Sequence, residues 1–394
     1  MSPPPLIVHV VYRFGVGGLE NGVANLVSRM PRQRWRHAIL ALTDISGAFA
    51  ERVQRDDVRF IELGKGPGHL VRDYPRLHRL FKSLRPAVVH TRNLAALEAA
   101  VPAWAAGVPV RIHGEHGWDL HDPHGRRQRY RYVRRLYRPF VSRYVALSRH
   151  LADYLDHSVG IPRERISQMY NGVDTERFRP AEEGRAPIAG CPFGAENEWL
   201  LGWVGRMEAV KDPLNLAQAF VRARLRSAAV RQRLRLVLVG DGGQRKALQE
   251  YLEAHRALRE TWFAGERADI PDIMRGLDGF ALPSLAEGVS NTILEAMASR
   301  LPIVATQVGG NAELIESGMT GRLVPAANPE ALAEGVLGYF NDPTTARRHA
   351  RAARHAAEAR FSLARMVADY GALYERSLAE AGVPLPAAEA LSTR

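Results

Sequence analysis

The sequence predicts an α/β protein built from two doubly wound parallel-sheet domains facing across a cleft. Three observations along the 394-residue chain carry that expectation. Short β-rich apolar runs alternate with helix-periodic stretches, the pattern of βαβ units feeding parallel sheets. The alternation runs through once in each half of the chain. Between the two series lies a stretch with no apolar periodicity.

In the first half the runs at 6–12, 38–43, 58–63, 87–91, 110–113 and 144–148 read as strands. In the second half they fall at 200–204, 234–239, 261–264, 279–283, 303–306 and 321–324. Each series is the size of one doubly wound sheet. Residues 179–198 carry Pro180, Pro187, Pro192 and three glycines, and read as a linker. This gives a first domain over 1–178 and a second over 199–361. From Ser362 the pattern turns helical again, with Met366, Tyr370, Leu373 and Tyr374 at helix spacing. That helix, about 362–383, is expected to pack back onto the first domain, and 384–394 reads as a frayed tail.

Composition narrows the class. Hydrophobic residues make up 46% and charged residues 24%, ordinary for a globular chain. The single cysteine, Cys191, excludes an internal disulfide and fits a reducing cytosol. The start is proline-rich rather than basic, so no secretory signal is expected, and no apolar run approaches membrane-spanning length. A cytoplasmic protein, at most peripheral at the inner face of a membrane, is expected. The net charge of +12 favours anionic partners without choosing among them.

Ligands of open α/β sheets bind at the carboxyl ends of the strands, so the informative residues should stand just after them. After the strand ending near Pro283 come Glu287-Gly288-Val289-Ser290-Asn291-Thr292-Ile293-Leu294-Glu295. A helix is expected to start around Ser290 or Asn291, placing Glu287 beside its N-terminus and Glu295 about a turn inside. Such an N-terminus attracts phosphate, and a carboxylate within the first turns can accept ribose hydroxyls. Alone, the two glutamates would more often be a capping charge and an exposed helix residue. After the first strand of the second half, Gly205-Arg206-Met207-Glu208-Ala209-Val210-Lys211 offers a forked donor and a point charge for a diphosphate. The competing reading is solvated surface charge. The Gly240-Asp241-Gly242 turn after the next strand either lets backbone approach a ligand or is simply a tight turn.

Together these residues resemble the GT-B retaining glycosyltransferases of family 4, whose two domains are Rossmann-like. That family carries a Gly-Arg…Lys loop, a Gly-Asp-Gly turn and a Glu–seven residues–Glu element in its nucleotide-binding domain, and all three appear here in that order and spacing. Asn311 and Glu313 sit in the segment that usually reads Gly-Gly-x-x-Glu, and Asn171-Gly172-Val173-Asp174 also matches. The resemblance covers almost the whole chain. It implies that Arg206 and Lys211 bind the diphosphate of a UDP- or GDP-type donor and stabilise charge on the leaving nucleotide. Glu295 would hold the ribose and Glu287 the transferred sugar, with Gly205, Gly240, Asp241, Gly242, Gly288, Val289, Ser290 and Asn291 lining the donor. No cofactor and no metal are implied, and no Asp-x-Asp motif follows a strand.

In the first half, Gly15-Val16-Gly17-Gly18-Leu19-Glu20 joins the first strand to its helix. It is not the dinucleotide fingerprint, because Glu20 stands where a third glycine would, so a dehydrogenase is disfavoured. The resemblance places Gly17 and Gly18 beside donor phosphates and puts Glu20 and Asn171 on the acceptor side. His113, Glu115 and His116, followed by Trp118, Asp119, His121 and His124, invite a metal reading, but their spacing fits no zinc pattern. The family's active-site histidine follows this strand; His116 matches it better, with His113 as the fallback and an acceptor-side place.

Residues 124–150 hold nine arginines, with Tyr130, Val133, Tyr137 and Phe140 at helical spacing. The bland account is an amphipathic helix with a basic solvent face. The functional one is contact of segment 126–149 with an anionic membrane or a lipid-diphosphate acceptor. Nucleic acid is not expected, since no binding module accompanies the charge. Gly114 to Asp119 and this segment also resemble a bacterial subgroup tied to exopolysaccharide and PEP-CTERM/exosortase systems.

The expected activity is sugar transfer from a nucleotide sugar to a glycan or lipid-diphosphate-linked acceptor. A GT-B nucleotide-sugar epimerase or a sucrose- or glycogen-type synthase is the same-fold alternative. A non-catalytic nucleotide or polyanion binder is the alternative of another class, and the set Arg206, Lys211, Glu287 and Glu295 argues against it.

Overall fold

The computed structural model describes residues 3–117, 122 and 125–385. Trp118, Asp119, His121 and His124 lie outside the described residues. The chain divides into two compact units, one made of Met1–Asn171 with Leu363–Arg394 and the other of Gly172–Ser362.

The first unit is built on a seven-stranded sheet in the order β3-β2-β1-β4-β5-β6-β7, with every pairing parallel. Its strands are β1 (Leu6–Val11), β2 (Arg36–Ala41), β3 (Arg59–Glu62), β4 (Val88–Arg92), β5 (Val110–Glu115), β6 (Arg143–Ala146) and β7 (Ile166–Gln168). Helices cover both faces, so the central strands are apolar almost throughout rather than alternating. On one face Ile7, Val88, Val110, Ile112 and Val145 pack under Leu26, Met30 and Trp35 and under Met366, Tyr370, Leu373, Tyr374 and Leu378 of the last helix, Leu363–Glu380. On the other, Val8, Val10, Ala38, Leu40 and Val89 pack against Leu70, Leu77 and Phe81.

The second unit carries a six-stranded parallel sheet in the order β10-β9-β8-β11-β12-β13. Its strands are β8 (Trp199–Val204), β9 (Leu234–Val239), β10 (Thr261–Gly265), β11 (Gly279–Leu282), β12 (Ile303–Thr306) and β13 (Arg322–Val324). Residues 179–198, read as a linker from sequence, belong to this unit. There Ile188 is buried and Arg185 bonds the Asp278 carboxylate at 2.6 Å.

Both sheets reverse strand order beside their first strand, between β1 and β4 and between β8 and β11. In doubly wound folds the crevice at such a reversal is where ligands bind. Every strand read from sequence is present within a few residues. β7 was missed because Ile166-Ser167-Gln168 is half-buried and has no apolar run to announce it.

Candidate active site

In the second unit the loops after β8 and β11 meet at the reversal. Leu285 N–H donates to the Val210 carbonyl at 2.8 Å, which locks the two loops together. That register brings Lys211 Nζ to 2.6 Å from Glu287 Oε1. The Ser284 hydroxyl donates to the same oxygen at 2.6 Å. Glu287 is 8% exposed, so its charge is compensated where it sits. Thus the sequence-predicted Lys211 and Glu287, 76 residues apart, are brought into direct contact.

Neighbouring loops brace this pair. Gly309, at φ +47°, lies so close to the Glu287 carbonyl that a Cβ there would overlap it, and Gly310 N–H donates to the Gly288 carbonyl at 2.8 Å. Ser290 caps the helix Asn291–Ala298, its hydroxyl accepting from Ile293 N–H at 3.3 Å. Val289 and Ser290 are buried, whereas Asn291 and Glu295, one i,i+4 step apart, are half-buried on a shared face. Arg206 is exposed and makes no ion pair among the described residues, so its forked donor is available to a ligand.

The Gly240 turn has a structural cause. Gly240, at φ +120°, packs so tightly on the Gly205 carbonyl that a Cβ would overlap it. Met207 N–H donates to the Asp241 carbonyl at 2.7 Å, and Asp241 Oδ1 accepts Gly242 N–H at 2.7 Å while Oδ2 pairs with Arg245. The glycines let two loops approach each other, which is also how the β9 loop holds the Arg206 loop in place. Asn311 donates from Nδ2 to the Thr306 carbonyl at 3.1 Å; Glu313 follows in the helix Asn311–Leu314.

In the first unit, Gly17 caps the helix Gly18–Arg29 in extended conformation, and the Glu20 carboxylate folds back over the Gly17 backbone. The Asn171 side chain lies against Gly22 of that helix. His113 and His116, which the sequence left as alternatives, differ in surroundings. His113 is fully buried, with Nδ1 2.9 Å from Thr91 Oγ1 and Nε2 3.3 Å from Glu115 Oε1. Both its ring nitrogens are therefore engaged. His116 is half-buried; its backbone N–H donates to Asn93 Oδ1 at 2.8 Å, and its ring Nε2 has no hydrogen-bond partner among the described residues. Burial, then Arg92 and His113, hold the His116 ring down at about 3, so it is a neutral hydrogen-bonding group.

Two arrangements escaped sequence reading. Arg134, read as part of a basic solvent face, is 3% exposed and forms a two-pronged pair with Glu115, Nη2 to Oε2 at 3.1 Å. Burial pushes the Glu115 carboxyl upward, but Arg134 and His113 outweigh it and hold it well below the usual carboxylate range. Ser284 and Asn93 were also unread, being small polar residues at strand ends with no motif of their own. Among the described residues no group of three histidine, cysteine, aspartate or glutamate side chains is placed to hold a metal ion. Nor, among the described residues, is any helix long and apolar enough to cross a membrane.

Two parallel-sheet units with these strand orders define a fold class, and solved structures agree on it. Anabaena Alr3699/HepE, crystallised with UDP, superposes with a TM-score of 0.79 at 21% identity, over 95% of this chain and 100% of that one. WaaG, a glycosyltransferase involved in lipopolysaccharide biosynthesis, superposes with a TM-score of 0.69 at 18% identity over 92% and 99%. The fold is GT-B. Residues 16–177 match the family model described as Glycosyltransferase Family 4, and residues 198–342 the one described as Glycosyl transferases group 1. The chain belongs to the family 4 glycosyltransferases of GT-B fold. It is similar to the Escherichia coli UDP-Gal:alpha-D-GlcNAc-diphosphoundecaprenol alpha-1,3-galactosyltransferase, 28% identical over 69% of this chain and 72% of that one. It is 33% identical to the Rhizobium leguminosarum bv. viciae lipopolysaccharide core biosynthesis mannosyltransferase LpcC, over 53% and 59%.

Proposed function

We propose that this glycosyltransferase moves a sugar, with retention of configuration, from a nucleoside-diphosphate sugar to a glycan or lipid-diphosphate-linked acceptor in exopolysaccharide or other cell-surface glycan synthesis. The observation that carries the donor side is the Lys211–Glu287 contact at the β8/β11 strand-order reversal, beside the free Arg206. Departure of a nucleoside diphosphate needs cationic donors where its charge develops, and Arg206 with Lys211 supplies them without a metal. Glu287, anionic and fixed, takes the transferred sugar's hydroxyls and faces the positive character that grows on the sugar. Glu295 takes the ribose. His116, neutral and with its Nε2 unpartnered among the described residues, is the better of the two histidines for a hydrogen bond to the donor sugar.

The acceptor class draws on the relatives: the similar Escherichia coli enzyme is named for a diphosphoundecaprenol substrate, and another relative is the putative glycosyltransferase EpsF of Bacillus subtilis. A lipid-linked acceptor fits a cytoplasmic enzyme working peripherally at the inner membrane face. Transfer and donor hydrolysis with a UDP- and GDP-sugar panel test the reading, run beside Glu287→Ala and Lys211→Ala. Each variant is expected to lose on the order of 100-fold or more in turnover, the usual effect of removing one preorganised electrostatic group. Unchanged turnover in both would sink the site assignment, and an inverted anomeric product would sink retention.

A further inference from the structure

Glu287 is gripped by two donors of different character. Ser284 is fully buried, and its backbone carbonyl is itself held by Thr306 Oγ1 at 2.6 Å, so its hydroxyl stands on fixed backbone. It reaches Glu287 Oε1 at 2.6 Å. Lys211 reaches the same oxygen at 2.6 Å, but from a flexible four-carbon stem whose side chain is 24% exposed. No hydrogen bond engages Oε2 among the described residues.

Among the described residues the Ser284 hydroxyl donates to Glu287 alone. A lysine ammonium carries three protons and can turn to another anion. We infer that Ser284 is a positioning residue that keeps Glu287 in place, while Lys211 is an exchangeable partner that leaves Glu287 for the donor diphosphate. This rests on the donor-site reading above. Before the donor arrives, the lysine and glutamate satisfy each other; when the diphosphate enters, the ammonium transfers to it. The carboxylate then has both oxygens turned to the sugar and is steadied by Ser284 alone.

The consequence runs against the usual effect of mutating a site residue. Breaking the Lys211–Glu287 tie is part of the cost of binding, so weakening it in advance should tighten nucleotide binding. The test is calorimetric titration of UDP and GDP into the full chain. The variants are Glu287→Gln and Glu287→Asp, each alone and combined with Lys211→Met. Glu287→Asp keeps the charge but draws the carboxylate back by a methylene, which weakens its contact with Lys211. Both single variants are expected to bind the preferred nucleotide roughly three- to tenfold more tightly, the size of an ordinary pairwise coupling. With Lys211→Met that gain should vanish.

A gain in Glu287→Gln but not in Glu287→Asp would mean relief of charge repulsion and overturn the exchange. So would a gain that survives Lys211→Met, or affinities unchanged throughout. For Ser284→Ala, unaltered nucleotide affinity with a roughly tenfold fall in kcat and little change in KM is expected. Nucleotide affinity falling in step with turnover would mark Ser284 as merely structural. Failure of the wild-type chain to bind either nucleotide would overturn the donor-site reading itself, a result distinct from all of these.

Discussion

At the scale of single residues, charge burial governs what can be changed. Arg134 and Glu115 are each nearly inaccessible, and each is the other's main compensation. Removing one member of such a pair leaves an uncompensated charge in the interior, at a cost of about 3–5 kcal/mol; neutralising both removes the penalty along with the attraction. Arg134→Met is therefore expected to destabilise the protein by that amount in denaturant unfolding, and Arg134→Met/Glu115→Gln to recover most of it. A double variant no more stable than the single one would show that the buried charge is not the cause. The sequence held a clue to this pair. Arg134 falls on the same helical stripe as Tyr130, Val133 and Tyr137, one i,i+4 step from Tyr130, so an arginine was already standing among the inward-facing positions. Its partner is on a strand 19 residues earlier, and no local pattern announces that.

At the scale of elements, the helix Gln128–Tyr137 shows why composition alone misassigns arginines. Arg135 donates to the Ser158 carbonyl at 2.8 Å and the Val159 carbonyl at 3.2 Å, and Arg138 to the Gly160 carbonyl at 2.7 Å. These carbonyls end the helical run 149–159, where cations are favoured by the unpaired C=O groups. These arginines thus staple one helix to the end of another while keeping their charge. Arg126, Arg127 and Arg129 remain exposed, beside Tyr132 and Leu136, which are 65% and 67% exposed and one i,i+4 step apart. Exposed apolar anchors amid cations are the pattern of a membrane-surface helix. The proposed peripheral association makes a graded prediction: binding to anionic vesicles at low salt, weakened about fivefold by each of Arg126→Gln and Arg127→Gln, since a basic residue near such a surface contributes about 1 kcal/mol. Tyr132→Ser/Leu136→Ser should weaken it further and leave the salt dependence intact. Co-sedimentation measures this, and indifference of the wild-type protein to anionic vesicles would end the proposal.

At the scale of the whole molecule, the sequence disclosed what depends on local pattern and withheld what depends on tertiary contact. The strands were legible because both sheet faces are covered and their residues are apolar in runs. Lys211 and Glu287 were legible as members of motifs, but their contact follows from β8 and β11 being neighbours, which strand order decides. Least legible was a polar cluster inside the first sheet, where His9, His37 and His90 are all buried at 0–1% exposure. Its hydrogen bonds run in one direction. Arg92 can only donate, and its Nη1 lies 3.0 Å from His9 Nδ1, so that nitrogen accepts. His9 Nε2 therefore carries the proton and donates to His37 Nδ1 at 3.0 Å. A proton added to either ring would break one of these bonds, beside a guanidinium that already repels it. His90 Nδ1 meets the Tyr374 hydroxyl at 2.9 Å, tying β4 to the last helix. Burial first, then Arg92, holds His9 and His90 well below their ordinary value; burial, then Arg55, brings His37 to about 3, against the opposing pull of Asp57. The sign follows from these directions. Below about pH 6.5 the unfolded chain takes up protons that the folded chain refuses, so stability falls as pH drops, and for His37 the loss continues to about pH 3. Each of the three contributes about 1.4 kcal/mol per pH unit once well below 6.5. Urea unfolding followed between pH 7.5 and 5 should thus lose stability steeply. Replacing His37 with Gln, which keeps an acceptor and a donor but does not titrate, should make the slope shallower by about one proton's worth. An unchanged slope would mean that His37 is not among the groups excluding protons from the fold.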